Sequence, residues 1–158
     1  MCLRCDGMSS EEIRAVQLGL IERNGWMVQF VEGDARHEPW GYTVGLTRYH
    51  DHPELLVSGL SPDVTVELLN WLGHVVAVHE RLVEGMVIEG DDGVRILLAG
   101  VDDPTCMVTA QEIYNPDGAR LVPGLQAVWS DEHGNWPWQT GWHLGARQRL
   151  FASPPQAA

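Results

Sequence analysis

Met86-Val87-Ile88-Glu89-Gly90-Asp91-Asp92-Gly93-Val94-Arg95-Ile96-Leu97-Leu98 reads as two strands folded about an acidic turn. Both arms carry β-favouring residues, and Asp92-Gly93 supplies the positive φ that a tight turn needs. Upstream, residues 26–31 and 42–46 make a second hairpin across the polar loop 33–39. Leu55-Leu56-Val57 is a further strand, too apolar throughout to face water on either side, and Leu125-Gln126-Ala127-Val128-Trp129 is a late one. A chain dominated by hairpins argues against a regular βαβ repeat.

Helices fill the intervals. Ser9-Ser10-Glu11-Glu12 has capping-box spacing, Ile13, Val16 and Leu20 follow at helical intervals, and Asn24-Gly25 stops the run, so a helix is expected over 10–23. Ser61-Pro62-Asp63 combines a capping hydroxyl, a proline where its missing N–H is harmless and a carboxylate at the positive end of the dipole. The helix it opens is expected over 62–82. Its buried stripe is Leu68, Leu69, Leu72, Val75, Val76 and Leu82, widened by Trp71 and Val78. Asp102-Asp103-Pro104 opens a short helix through Tyr114, ended by Asn115-Pro116-Asp117-Gly118, and residues 47–53 read as a polar loop. The expectation is a single α+β domain over 1–151. Its mostly antiparallel or mixed sheet is built from hairpins, with two longer helices and one short helix on one face. The tail 152–158, with Pro154-Pro155, is expected to fray.

Composition narrows the function. With 158 residues, 44% hydrophobic and 20% charged, the chain is of folded rather than disordered type. Its ten basic residues are all Arg, and against 22 Asp and Glu they leave a net charge of −12, which repels nucleic acid and anionic membrane surfaces. Without Lys there is neither Schiff-base chemistry nor a phosphate-loop lysine. No apolar run is long enough for a spanning helix or a secretory signal, so a cytoplasmic location is expected. Three cysteines cannot all pair, which fits reduced thiols.

Cys2-x-x-Cys5 lets two sulfurs reach one Zn²⁺ if two further ligands arrive from elsewhere; as half a site it competes with a redox dithiol and with ordinary thiols. In extended backbone, His50 and His52 of His50-Asp51-His52-Pro53-Glu54 would point to the same side and could chelate a cation; the alternative is that His52 fixes the loop by hydrogen bonds. His74 and His79, five apart on a helix, cannot share a ligand. Neither a Gly-x-Ser-x-Gly elbow nor a Gly-x-Gly-x-x-Gly fingerprint occurs. Trp129-Ser130-Asp131-Glu132-His133-Gly134-Asn135-Trp136-Pro137-Trp138 sets three indoles around a polar turn. It is either a hairpin whose rings plug the sheet edge, with Asp131 accepting turn N–H groups, or an aromatic wall beside carboxylates.

Several of these segments together resemble the bacterial domain of unknown function 4262 family. They are Gly25-Trp26-x-Val28-Gln29-x-Val31, Tyr42-Thr43-Val44-Gly45-Leu46, His52-Pro53-Glu54-Leu55, Gly59-Leu60 and Leu125-Gln126-x-Val128-Trp129-x-Asp131-x-x-Gly134-x-x-Pro137-Trp138. The Cys2-x-x-Cys5-Asp6 start is similar too, and the likeness covers about residues 2–150. It implies a shared fold and no activity. It suggests a family site near Tyr42, Thr43, His52, Glu54, Trp129, Asp131 and Trp138. At the end of the chain Gln148 matches the family pattern, whereas Arg149 departs from it.

Two functions follow as expectations. The first is a small-molecule-binding protein whose cleft gathers Trp40, Tyr42, Thr43, Trp129, Trp136 and Trp138; if it is catalytic, His52 with Glu54 or Asp131 is the acid/base pair. The second is an acidic interaction module that docks a protein partner through exposed Trp residues. A metal-stabilised fold through Cys2 and Cys5 is a narrower third reading.

Overall fold

A computed structural model describes residues 7–155. Cys2 and Cys5, and with them the expected half zinc site, lie outside the described residues. The elements run α1 (Ser10–Asn24), β1 (Met27–Val31), β2 (Trp40–Val44), α2 (Leu46–His50), β3 (Glu54–Ser58), α3 (Pro62–Ala77), β4 (Val87–Glu89), β5 (Arg95–Gly100), a 3-10 turn at Pro104–Cys106, α4 (Val108–Tyr114) and β6 (Gly124–Trp129). The six strands form one mixed sheet in the order β1-β2-β3-β6-β5-β4. Every neighbouring pair is antiparallel except β3 and β6, which run parallel with Glu54 opposite Gly124. This is an α+β domain, with both expected hairpins in place. Among the described residues no helix is long and apolar enough to cross a membrane.

The helices cover both faces of the sheet rather than one. Every residue of β2, β3 and β6 is buried, and alternate side chains along them enter different cores. Leu55, Val57, Ala127 and Trp129 pack with Leu69, Leu72 and Val76 of α3. Tyr42, Val44 and Leu56 pack on the other side with Ile21 of α1 and Ala110 of α4. Leu55-Leu56-Val57 could not face water on either side because each side has its own helix layer.

Local chemistry explains the element ends. The capping box at Ser9 forms as expected: Ser9 Oγ accepts from the N–H of Glu12 at 3.2 Å and Glu12 Oε2 accepts from the N–H of Ser9 at 2.7 Å. Gly25, at φ 85°, closes α1. The third helix stops at Ala77 instead of 82 because the chain turns left-handed at His79 (φ 69°). Leu82 is therefore not part of the helical stripe; it enters the core separately and is 3% exposed. α2 (Leu46–His50) occupies the end of the strand expected over 42–46 and the first part of the loop expected over 47–53.

The tail expected to fray is docked where it begins. Gln126 Nε2 donates to the carbonyl of Arg149 (2.8 Å) and its Oε1 accepts from the N–H of Phe151 (2.7 Å). Gln148 does the converse, donating to the carbonyl of Trp129 (2.7 Å) and accepting from its N–H (2.9 Å). Two buried side-chain amides thus fasten residues 148–151 to β6, and Ala152 is buried against Leu97, Ala99 and Val128.

Candidate functional site

α3 lies chiefly over β1, β2 and β3, so the same face of the sheet above β4, β5 and the end of β6 is left partly open. The result is a cleft of about 640 Å³, within the ~300–1,000 Å³ usual for small-molecule sites. One wall is the outer stripe of α3, Val64, Leu68 and Trp71, at the i, i+4, i+7 spacing that puts them on one side of the helix. Facing them are Ile88, Val94 and Ile96 of the β4–β5 hairpin. Trp129 closes one end. Its Nε1 donates to the carbonyl of Ser58 at 2.8 Å and its ring lies 5.5 Å from that of Trp142. Trp71 is 48% exposed, the largest apolar side chain left in water along this wall.

The rim differs from the walls. Asp91, Asp92 and Glu132 are exposed around the opening, and no Arg or His is among the described residues that line it; Glu89 borders it too, but it stands opposite Arg95 in the β4–β5 register, so its side chain leaves the strand on the side away from Ile88. Asp131 borders the cleft, but its carboxylate has no accessible surface and is fully engaged. Oδ1 accepts from the N–H groups of His133 and Asn135, both at 2.9 Å, and Oδ2 from Asn135 Nδ2 (3.3 Å) and His143 Nδ1 (3.2 Å). Burial pushes the carboxyl upward, but the donors on Asn135, His133 and His143 outweigh it and hold Asp131 below its ordinary range. His143 in turn places Nε2 3.1 Å from Glu132 Oε1, and His133 Nε2 lies 3.7 Å from the same oxygen. Among the described residues no three His, Cys, Asp or Glu side chains are arranged to hold a metal ion.

The other candidates are not gathered here. Glu54 is fully buried and fastens the start of α2. Its Oε1 accepts from the N–H groups of Gly45 (2.8 Å) and Thr47 (3.2 Å), and its Oε2 from the Thr43 hydroxyl (2.6 Å) and the N–H of Leu46 (3.3 Å). Burial raises the Glu54 carboxyl from its ordinary value, against the downward pull of those four donors. His52 is 3% exposed and has both ring nitrogens occupied: Nδ1 lies 2.7 Å from the carbonyl of Pro53, and Nε2 accepts from the N–H of Leu82 at 3.1 Å. Burial lowers its basicity below the ordinary histidine value, although the Pro53 and Leu82 carbonyls oppose this. It is the loop clip of the two readings and not one arm of a His-x-His chelate. His50 instead lies edge-on to Trp26, with centroids 6.4 Å apart.

The aromatic candidates divide between the two faces. Trp40 and Tyr42 stack on each other at 5.3 Å in the core under α4, where the Tyr42 hydroxyl accepts from the N–H of Thr109. Trp136 and Trp138 stack at 5.8 Å with Leu97, Ala99 and Val128, and the Arg95 guanidinium lies 4.9 Å from the Trp136 centroid. Only Trp129 faces α3. The single hollow expected to join Tyr42, His52 and Glu54 with the 129–138 segment is therefore not formed: Trp129, at the end of β6, projects to the α3 face, while the turn that follows carries Trp136 and Trp138 round to the face of Val128. Of the expected set, Trp129 and Asp131 alone border the cleft.

The cleft's main walls come from one side of α3 and from the arms of the β4–β5 hairpin, which spacing and composition mark only as helix and strand. One signal was available: Trp71 broadens the stripe of α3 beyond what a single sheet face can bury.

A mixed sheet between two helix layers, with an apolar, acid-rimmed cleft on one side, defines the chain as a small α+β domain with an open pocket. It belongs to the family described as domain of unknown function (DUF4262), whose profile matches residues 20–143 of the 158. No curated protein and no solved structure matches the chain.

Proposed function

We propose that this protein binds a small molecule with an apolar, planar body in the cleft between α3 and the β4–β5 hairpin. The observation that carries the reading is the wall itself: Val64, Leu68, Trp71, Ile88, Val94 and Ile96 line a hollow of about 640 Å³ that no element of the described chain fills. An apolar ligand entering it releases water from both surfaces, worth about 25 cal/mol per Å² of apolar area removed. Binding is favoured over acid/base catalysis because His52, Glu54 and Asp131 already have internal partners for their nitrogens or oxygens. A cytoplasmic site of action fits the odd cysteine count and the acidic composition.

The test is an amide and indole N–H NMR titration with 2-naphthylmethanol, a neutral planar probe. Shifts should concentrate on Trp71, Trp129, Ile88 and the 94–96 segment, and should vanish in Leu68→Trp, which fills the cleft from a half-buried position. No shift at millimolar probe, or shifts centred on Trp40 and Trp136 and unchanged in Leu68→Trp, would refute the assignment.

A further inference from the structure

We infer that the outer edge of β1 is an interface between two copies of this chain, which join their sheets by antiparallel β1–β1 pairing about Gln29. The inference concerns the end of the sheet away from the cleft and is independent of the binding reading.

The sheet has two edge strands, β1 and β4, and they are built differently. β4 has three residues and ends in Glu89; short, charged edges resist pairing. β1 has five, Met27-Val28-Gln29-Phe30-Val31, with neither a charge nor a proline among them. Register identifies its outward groups. The N–H of Gly59 donates to the carbonyl of Pro39 at 2.8 Å, so the odd-numbered residues of β2 bond to β3, and the even-numbered Trp40, Tyr42 and Val44 bond to β1. Their partners there are Val31, Gln29 and Met27. Val28 and Phe30 therefore aim their N–H and C=O groups away from the sheet. Among the described residues one of these four groups has a partner: the Phe30 carbonyl accepts from Gln29 Nε2 at 3.3 Å, which leaves it a second lone pair.

A two-fold axis through Gln29 sets Val28 opposite the partner's Phe30. Both are outward residues, so each such pair exchanges two N–H···O bonds and every outward group of both strands is used. The side chains agree with this register. Met27 and Val31 pack into the core under α4 and Val28 into the core under α3, whereas the half-buried Phe30 packs into neither. Strand alternation puts Phe30 on the same face as Val28, so pairing lays it against the partner's Val28, an aromatic and β-branched contact of the kind that stabilises antiparallel sheets. A groove of about 420 Å³ is lined by Leu20 and Asn24 of α1, Val28 of the strand, and Val66 and Asn70 of α3. Since α1 and α3 lie on opposite faces of the sheet, a hollow that touches both lies at its β1 edge, and Val66 is 39% exposed there. Each chain carries a net charge of −12, but the first charge beyond the strand, Glu32, falls opposite the partner's Trp26, so the seam sets no like charges against each other.

The experiment is sedimentation equilibrium from micromolar to millimolar protein, with amide hydrogen exchange followed at both ends of the range. The mass should rise from one chain to two. Exchange at Val28 and Phe30 should slow by about tenfold or more at the dimeric end, while Gln29, bonded to β2 in either state, should change little. Phe30→Lys puts a charge from each strand at diagonal positions of the seam and should weaken dimerisation by about tenfold or more, whereas Val87→Lys, which charges the β4 edge instead, should leave it unchanged. A single-chain mass at every concentration overturns the second copy as occupant of this edge. So does a dimer in which exchange at Val28 and Phe30 is unaltered, or one that Val87→Lys weakens as much as Phe30→Lys does. The exchange measurement uses the unaltered chain, so it decides the matter even if Phe30→Lys fails to fold.

Discussion

Glu54→Gln tests whether the most buried carboxylate is a structural anion or a stored acid. Its two oxygens accept from four donors: the N–H groups of Gly45, Leu46 and Thr47, and the Thr43 hydroxyl. Of these, only the hydroxyl could turn acceptor, and it already accepts from the N–H of Leu55 at 2.9 Å. A carboxylate suits this cage, whereas glutamine puts an NH₂ group among donors. In the best orientation the NH₂ occupies the Oε2 position. The N–H of Leu46 then loses its acceptor and the Thr43 proton must find another. Each buried polar group left unmade costs about 1–3 kcal/mol, so the substitution should cost about 2–5 kcal/mol. For a domain of this size that lowers Tm by roughly 2–4 °C per kcal/mol. Urea unfolding at pH 7 measures it directly. A cost below about 0.5 kcal/mol would refute the reasoning: it would mean that burial, which pushes the carboxyl upward, keeps Glu54 protonated, so that the amide is a near-isostere.

His52, held below its ordinary value of 6.5 by burial, binds fewer protons folded than unfolded as pH falls through that value. Its contribution to stability is therefore complete above 6.5 and declines below it, with a slope of at most about 1.4 kcal/mol per pH unit; urea midpoints at pH 7.5 and 5.5 should lie further apart in wild type than in His52→Gln, and equal separations would contradict this. Gln148→Ala removes both partners from the backbone of Trp129 and should cost about 2–3 kcal/mol with faster hydrogen exchange of the Trp129 amide; unchanged exchange would mean that the segment is not held by that side chain. In Gly73→Ala the new Cβ would lie 2.6 Å from Trp26 Cε2. Overpacking of about 1–3 kcal/mol should then exceed the ~1 kcal/mol that alanine gains in a helix, lowering Tm and altering the near-ultraviolet signal of Trp26.

Features encoded by neighbours in sequence were readable: the capping box at Ser9, the Asp92-Gly93 turn, the Ser61-Pro62 helix start. Those depending on distant partners were not. α2 has no capping side chain at Gly45 and begins there because Glu54, nine residues on, supplies the acceptors. Leu82 sits at helical spacing from Val75 and Val78, yet it enters the core by way of His52. The candidate site suffered most. His52, Glu54 and Asp131 have the chemistry of acid/base catalysis, but the same chemistry serves a clip, a cap and a turn once partners arrive. The indoles at 129, 136 and 138 are close in the chain and divided by the sheet. The cleft itself arises from how far α3 extends across the strands, a tertiary quantity that periodicity does not contain.

The position of β6 has a consequence for how the sheet assembles. It is the last of the six strands in chain order, yet it stands between β3 and β5, joining β1-β2-β3 to β5-β4. During synthesis the two preceding hairpin groups therefore emerge with bare inner edges and nothing to pair them. Their closure waits for residues 124–129, whose union with β3 spans some seventy positions. Such late, long-range pairing slows folding and leaves nascent edges open to neighbouring chains.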